Sequence, residues 1–229
     1  MTLGFKRIVS QARKRSSNPQ KEKKILNELL HKYAAIVPED GGVIEKLADI
    51  FFNSAAKKYN SYVLEIGFGS GENILFNSQL TPNMGYIGCE VFTAGVVDLI
   101  EGLEDNNISN VRIWHDDALD LITRLPLNSL GLVYILHPDP WPKRRHNKRR
   151  LINIEFLSFL HTKMAPNGKL LIITDHEDYA NHIESAVNEV TNLFDLKFDN
   201  YPSITKTKYR LKADSLGHES KYFYLVKKS

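Results

Sequence analysis

Four acidic residues stand where they could bind one ligand together. Each lies at or just beyond an apolar run that predicts a buried β-strand; they are Glu65, Glu90, Asp117 and Asp139. The first run leads into Gly67-Phe68-Gly69-Ser70-Gly71, where glycines permit a tight turn and a close approach of backbone to ligand. Carboxylates accept hydrogen bonds, so this set suits a ligand rich in hydroxyl and amino groups.

Two kinds of cofactor use such a glycine-rich turn. A dinucleotide requires G-x-G-x-x-G, but here the third glycine comes one residue early and Glu72 occupies the last glycine position. S-adenosyl-L-methionine carries no phosphate, and its ammonium group suits Glu65. Glu90 could accept both ribose hydroxyls. Asp117, or Asp116 before it, could accept from the adenine amine, and Asp117 could also cap the following helix.

A proline-rich loop joined to a run of cations is the most unusual segment. Three prolines in residues 138–142 fix φ and stiffen the chain around Asp139. Trp141 either offers a flat surface for stacking a base or packs in the core. Six of the eight residues 143–150 are Lys or Arg. Because this run leaves the loop directly, we interpret it as a surface for RNA phosphates rather than a solvated face.

The composition is that of an ordinary globular chain with local basic patches. The 229 residues are 42% hydrophobic and 25% charged, with a net charge of +3. One cysteine excludes a disulfide framework, and no apolar run approaches the roughly 20 residues of a membrane helix. The basic N-terminus lacks the apolar segment of a secretory signal. We therefore expect a cytoplasmic protein that binds a polyanion and holds no metal.

Strands and helices alternate along the chain, which predicts an α/β fold with a parallel sheet covered by helices on both faces. Strands are predicted at 62–66, 86–89, 111–114, 130–136, 169–174 and 222–226. Helices are predicted at 43–59, 72–79, 93–104, 118–124, 149–164 and 177–193, with a turn at Pro166-Asn167-Gly168. Ligands of such sheets bind beyond the carboxyl ends of the strands, so this fold brings the four acids together.

We divide the chain into a basic extension, residues 1–40, and one α/β domain that contains the cofactor turn, residues 41–229. Residues 1–24 hold eight cations against one acid, Glu22, and few side chains suited to a core. This pattern predicts a partly flexible arm, which either helps to hold a polyanion or is a solvated tail.

Several motifs resemble the bacterial tRNA (guanine-N7-)-methyltransferases. They are Pro138-Asp139-Pro140-Trp141-x-Lys143 with the run 145–150, the glycine-rich segment 64–71, Gly88-x-Glu90-Val91, and Thr174-Asp175. The resemblance runs from about Leu64 to the C-terminus. It implies a Rossmann-like class I methyltransferase fold with a mainly parallel seven-stranded sheet. It also implies methyl transfer from S-adenosyl-L-methionine to N7 of a guanosine in the tRNA variable loop (m7G46).

The resemblance assigns roles to individual residues. Asp139 would be catalytic, and S-adenosyl-L-methionine would be bound by Glu65, Gly67, Gly69, Gly71, Glu90, Asp117 and Asp139. The guanosine would be bound by Lys143, Asp175, Thr207, Lys208, Tyr209 and Arg210, and RNA by Arg145, His146, Asn147, Lys148, Arg149 and Arg150. Two residues depart from the family pattern: Arg210 replaces an acid, and His137 replaces an apolar residue.

Three alternatives remain at this point. Another base methyltransferase, acting on an exocyclic amine, would show Asp/Asn-Pro-Pro-aromatic, which the order Pro-Asp-Pro-Trp disfavours. A non-catalytic RNA-binding protein with a relic cofactor fold is suggested by Arg210 and opposed by the four acids. A nicotinamide dehydrogenase lacks the third glycine of its motif and a placed proton donor. We expect tRNA as partner, no obligatory protein subunit, and a monomer or homodimer.

Overall fold

A seven-stranded sheet runs through the computed structural model, which describes residues 18–51, 59–205 and 219–228. The strand order is β3-β2-β1-β4-β5-β7-β6. The strands are β1 (Ser61–Ile66), β2 (Met84–Cys89), β3 (Val111–Trp114), β4 (Leu130–Leu136), β5 (Met164–Thr174), β6 (Phe194–Lys197) and β7 (Lys221–Lys227). Strands β1 to β5 pair in parallel, whereas β7 is antiparallel to β5 and β6. The sheet is therefore mixed: the parallel pairing of β1 to β5 agrees with the expected mainly parallel sheet, and β7 supplies the antiparallel pairings.

Helices cover both faces of the sheet. They are α1 (Pro19–Tyr33), α2 (Glu72–Leu80), α3 (Thr93–Asp105), α4 (Ala118–Arg124), α5 (Ile154–Lys163) and α6 (Glu177–Asn188). Apolar side chains of α1, α2 and α3 form one core cluster with the sheet, and those of α4, α5 and α6 form the other. None of the helices in the described parts of the chain is long and apolar enough to cross a membrane.

The N-terminal extension contains helix α1, which the sequence analysis did not predict. The side chain of Asn18 caps the helix by accepting from the Lys21 N–H, and proline occupies the first helical position. Ile25 and Tyr33 are buried, and the Tyr33 hydroxyl donates to Glu104 of α3. Residues 1–17, which include much of the predicted arm, lie outside the described residues. The partly flexible arm and the division at residue 40 stay predictions.

Four local predictions differ from the structure, and one of them is the helix expected at 177–193, which ends at Asn188. The described part of the expected helix 43–59 holds only a 3₁₀ turn at Leu47–Ile50. The expected helix 149–164 begins at Ile154, because the Asn153 side chain caps it by accepting from the Phe156 N–H. The expected turn at 166–168 is an irregularity inside β5, where Asn167 has φ +58° and the pairing with β4 shifts.

Candidate cofactor and substrate site

A cavity of about 490 Å³ lies beyond the carboxyl ends of β1, β2 and β4. Strand β1 pairs with both β2 and β4, so the strand order reverses at this point, where α/β sheets bind their ligands. The volume is within the roughly 300–1,000 Å³ common for small-molecule sites. Five residues predicted to bind the cofactor line this cavity: Gly67, Gly69, Glu90, Asp117 and Asp139.

The glycine-rich turn has the backbone that its sequence predicted. Gly67, Gly69 and Gly71 have φ of +71°, +60° and +79°, a region in which other residues are strained. A Cβ on Gly67 would meet nothing within 4 Å, so a ligand can approach this backbone closely. Gly71 is the N-cap of α2, and a Cβ there would lie 2.7 Å from the side chain of Leu99.

Gly95 of α3 is a site residue that the sequence analysis missed. A Cβ at this position would lie 2.0 Å from the carbonyl oxygen of Gly69, which no real contact permits. Glycine therefore allows the first turn of α3 to pack on the cofactor turn. An isolated glycine inside a predicted helix was the available signal, although it could not name the contact.

The carboxylate of Glu90 holds the glycine-rich turn against the end of β2. Its Oε2 accepts from the Gly69 N–H at 2.9 Å, and its Oε1 accepts from the N–H groups of Val91 at 2.8 Å and Phe92 at 2.9 Å. The residue is only 6% exposed. A carboxylate offers about four acceptor positions, so three are used and about one remains for a ligand. Acceptance from both ribose hydroxyls would require rearrangement.

Glu65 is placed differently from the other three acids. It is 3% exposed, is not among the groups that line the cavity, and accepts from Nδ2 of Asn73 at 2.7 Å. Burial raises the pKa of its carboxyl to about 8, although the Asn73 hydrogen bond opposes this shift. Oδ1 of Asn73 accepts from the Thr205 N–H, so Glu65 supports the segment before residue 206. Direct contact between Glu65 and cofactor stays a prediction.

Asp117 caps α4 while lining the cavity. Its Oδ1 accepts from the Leu119 N–H at 2.9 Å, and its carbonyl accepts from the Trp114 indole N–H. Asp116 also lines the cavity and accepts from the Asp117 N–H. The capping role is therefore present in the structure, and acceptance from adenine by either acid stays a prediction.

The loop after β4 carries Asp139 to the rim of the cavity. Two non-glycine residues of this loop have positive φ, His137 at +52° and Trp141 at +46°. Asp139 stays exposed, but partial burial of its carboxyl raises the pKa above the usual range. Nδ1 of His137 lies 3.4 Å from Oδ1 of Asp175, which follows the neighbouring strand β5. The two candidate substrate acids therefore follow adjacent strands.

The remaining predicted substrate residues are less well placed by the structure. Lys143 is exposed just before the basic turn and is not among the cavity-lining residues. Four others lie outside the described residues: Thr207, Lys208, Tyr209 and Arg210. Their contacts with substrate stay predictions.

The basic run forms a 3₁₀ turn, Arg144–Arg149, beside the cavity. Arg145, Lys148 and Arg149 are exposed, whereas His146 and Asn147 are half-buried. The Arg149 guanidinium lies 4.9 Å from the centroid of the Trp141 ring, and Trp141 is half-buried rather than part of the core. Arg150 departs from this pattern, since it is only 4% exposed.

Known proteins are similar to this chain over most of its length. The family model Methyltransf_4, described as "Putative methyltransferase", matches residues 59–222. A tRNA (guanine-N(7)-)-methyltransferase of Wolbachia pipientis wMel is 42% identical over 82% of this chain and 80% of its own length. A tRNA (guanine-N(7)-)-methyltransferase of Legionella pneumophila (strain Lens) is 41% identical over 68% of this chain and 72% of its own length. The chain belongs to the tRNA (guanine-N(7)-)-methyltransferase family.

Solved structures similar to this family member show the same fold at low sequence identity. The 16S rRNA methyltransferase KamB is 12% identical, with a TM-score of 0.57 over 86% of this chain and 99% of its own. TrmN of Thermus thermophilus is 16% identical, with a TM-score of 0.53 over 79% of this chain and 48% of its own. These similarities confirm the class I methyltransferase fold that the motifs predicted.

Proposed function

We propose that this chain transfers a methyl group from S-adenosyl-L-methionine to N7 of a guanosine in the tRNA variable loop, which produces m7G46. The observation that carries the proposal is the cavity at the reversal of strand order, with Asp139 at its rim, in a chain of this family. Relatives that are about 40% identical over most of the chain bear the name tRNA (guanine-N(7)-)-methyltransferase.

The lining of the cavity fits S-adenosyl-L-methionine. Gly67 leaves its backbone open to a ligand, and Glu90 keeps about one acceptor position for a ribose hydroxyl. Asp116 and Asp117 line the same cavity and supply acceptors for the adenine amine. When bound, the cofactor supplies an electrophilic methyl group on its sulfonium.

Guanine N7 has a free lone pair and no proton, so the reaction needs no strong general base. The task of the protein is to align N7 with the methyl carbon and sulfur, which is catalysis by proximity and orientation. We assign Asp139 and Asp175 to accept hydrogen bonds from guanine N1–H and the exocyclic amine, which would select guanine. Lys143 would hold a phosphate or the O6 atom.

The exposed cations of the 3₁₀ turn are suited to the RNA backbone. Arg145, Lys148 and Arg149 lie next to the cavity or on the turn that borders it, so phosphate contacts there would position a nucleotide at Asp139. Because cofactor cavity and cationic turn belong to one chain, we also propose that no further protein subunit is required. A monomer or homodimer in the cytoplasm remains part of this proposal.

The proposal is tested by incubating the protein with radiolabelled S-adenosyl-L-methionine and an unmodified tRNA transcript. Cleavage specific for 7-methylguanosine then maps the label, which we expect at one variable-loop guanosine. A transcript with adenosine at that position is the control. Label on an exocyclic amine would favour another base methyltransferase, and cofactor binding without transfer would favour a non-catalytic RNA-binding protein.

Replacement of the two candidate substrate acids tests the mechanism. Asp139→Ala and Asp175→Ala should each lower kcat by about tenfold or more, because each removes an acceptor that orients guanine. Glu184→Ala, on the exposed face of α6, is the matched control for loss of a carboxylate. A near-normal kcat in either variant would remove that residue from the mechanism.

A further inference from the structure

We infer that Arg150 is a positioning residue that holds the loop bearing Asp139, and is not an RNA contact like the cations before it. The inference rests on the proposed function only in naming Asp139 as the residue that must be positioned. It revises the role expected from the sequence, where Arg150 was the last member of the RNA-binding run.

Burial separates Arg150 from its neighbours. It is 4% exposed at the end of the 3₁₀ turn, whereas Arg145, Lys148 and Arg149 are exposed on that turn. A guanidinium cannot lose its charge in a protein, so a buried one needs partners for its charge and its N–H groups. Arg150 borders the cavity together with Lys148 and Arg149, but its low exposure leaves an RNA phosphate far less access to it than to those two cations.

The partners of Arg150 come from two separate parts of the fold. Its Nε donates to the carbonyl oxygen of Pro140 at 2.9 Å, and its Nη2 donates to Oδ2 of Asp178. Its guanidinium lies 5.0 Å from the centroid of the Tyr179 ring. One rigid, planar group therefore ties the residue that follows Asp139 to the first turn of α6.

The loop that bears Asp139 needs such a support because its own backbone offers few hydrogen-bond donors. Pro138, Pro140 and Pro142 have no N–H to donate, and His137 and Trp141 have positive φ. Each such non-glycine conformation is strained and persists only where surrounding contacts hold it. The Arg150 bond to the Pro140 carbonyl is such a contact, one residue from Asp139.

Asp178 gives a test in which the two roles predict opposite results. Its side chain is 64% exposed and is not among the groups that line the cavity. Its pKa is lowered, chiefly by the hydrogen bond from Arg150. If Arg150 served RNA, Asp178→Asn would remove a competing anion and tighten tRNA binding. If Arg150 positions the loop, Asp178→Asn lowers kcat and leaves tRNA affinity unchanged.

The experiment compares Arg150→Lys, Asp178→Asn and Arg145→Ala in the full chain. Lysine keeps the charge but lacks the planar guanidinium that donates to Pro140 and Asp178 at once. Arg150→Lys should therefore lower kcat roughly 10- to 100-fold with little change in the tRNA Kd. Arg145→Ala should instead weaken tRNA binding and lower the salt slope of log Kd by about one. Asp178→Asn should follow Arg150→Lys, with a smaller loss of kcat.

Hydrogen exchange of residues 137–143 supplies a readout that does not depend on activity. Faster exchange there in Arg150→Lys and Asp178→Asn, but not in Arg145→Ala, is the expected result. This result without tRNA methylation by the wild type would refute the proposed function and leave the positioning role intact. Unchanged exchange and kcat in Asp178→Asn, or tighter tRNA binding in that variant, would overturn the inference.

Discussion

The variant Glu90→Gln should loosen the cofactor turn even when no cofactor is bound. The carboxylate accepts from three backbone N–H groups, those of Gly69, Val91 and Phe92. An amide has one acceptor oxygen, so the oxygen of glutamine can face Val91 and Phe92 while its NH₂ faces the Gly69 N–H. Two donors then oppose each other in a site that is only 6% exposed.

The size of this effect follows from the three bonds. A hydrogen bond to a charged group contributes about 1.5–3 kcal/mol, against about 0.5–1.5 kcal/mol for a neutral one. The variant loses one charged bond and weakens two, and part of this loss is offset because a neutral amide is easier to bury. We expect a loss of about 2–3 kcal/mol, which for a chain of this length lowers Tm by roughly 4–12 °C.

Thermal unfolding and calorimetry test this expectation together. Tm should fall in the absence of S-adenosyl-L-methionine, and affinity for the cofactor should fall by about 30-fold or more if the same 2–3 kcal/mol is lost from a preformed turn. Glu184→Gln removes a carboxylate from the exposed face of α6 and should leave both quantities unchanged. An unaltered Tm with unaltered cofactor affinity in Glu90→Gln would refute this account of the turn.

Two further variants test the neighbouring groups. Because the folded-state pKa of Glu65 is raised to about 8, its neutral form stabilises the protein most at low pH, and this contribution is lost as pH rises through about 8. The free energy of unfolding should therefore fall from pH 5 to pH 8, and less steeply in Glu65→Gln; equal slopes by urea denaturation would contradict the assignment. Gly95→Ala places a methyl group 2.0 Å from the Gly69 carbonyl oxygen and should lower cofactor affinity about tenfold or more in a protein that keeps its circular dichroism. Wild-type affinity would show that α3 does not fix the turn.

Most strands were predictable because apolar runs end in glycines or acids at the sheet edge. One helix, α1, and one strand, β6, were missed for different reasons. The cations of α1 hide a helical recurrence of apolar residues that includes Ile25 and Tyr33. Strand β6 has only two apolar residues, Phe194 and Leu196, and depends on β7 for its pairing. Sequence patterns do not contain that tertiary partner.

The site was predictable to the level of which segments meet, but not which way each side chain points. Glu90, Asp117 and Asp139 line one cavity, as the strand ends implied. Glu65 is one residue away from Ile66, which does line it, and the alternation of a strand directs Glu65 to the opposite face. Arg150 likewise follows the exposed Arg149 directly but is buried, because the 3₁₀ turn ends between them. The sequence does not contain that change of direction.

The position of β7 between β5 and β6 has a consequence for the order in which the chain folds. The parallel strands β1 to β5 are complete once residue 174 has been synthesised, and they can pair before the last strands exist. Until β7 follows, β5 is an open edge with unpaired backbone groups and β6 has no strand to join. A nascent chain that stalls between residues 197 and 221 would therefore expose the unpaired edge of β5, which can pair with strands of other chains. We expect chaperones to bind such a chain mainly at β5.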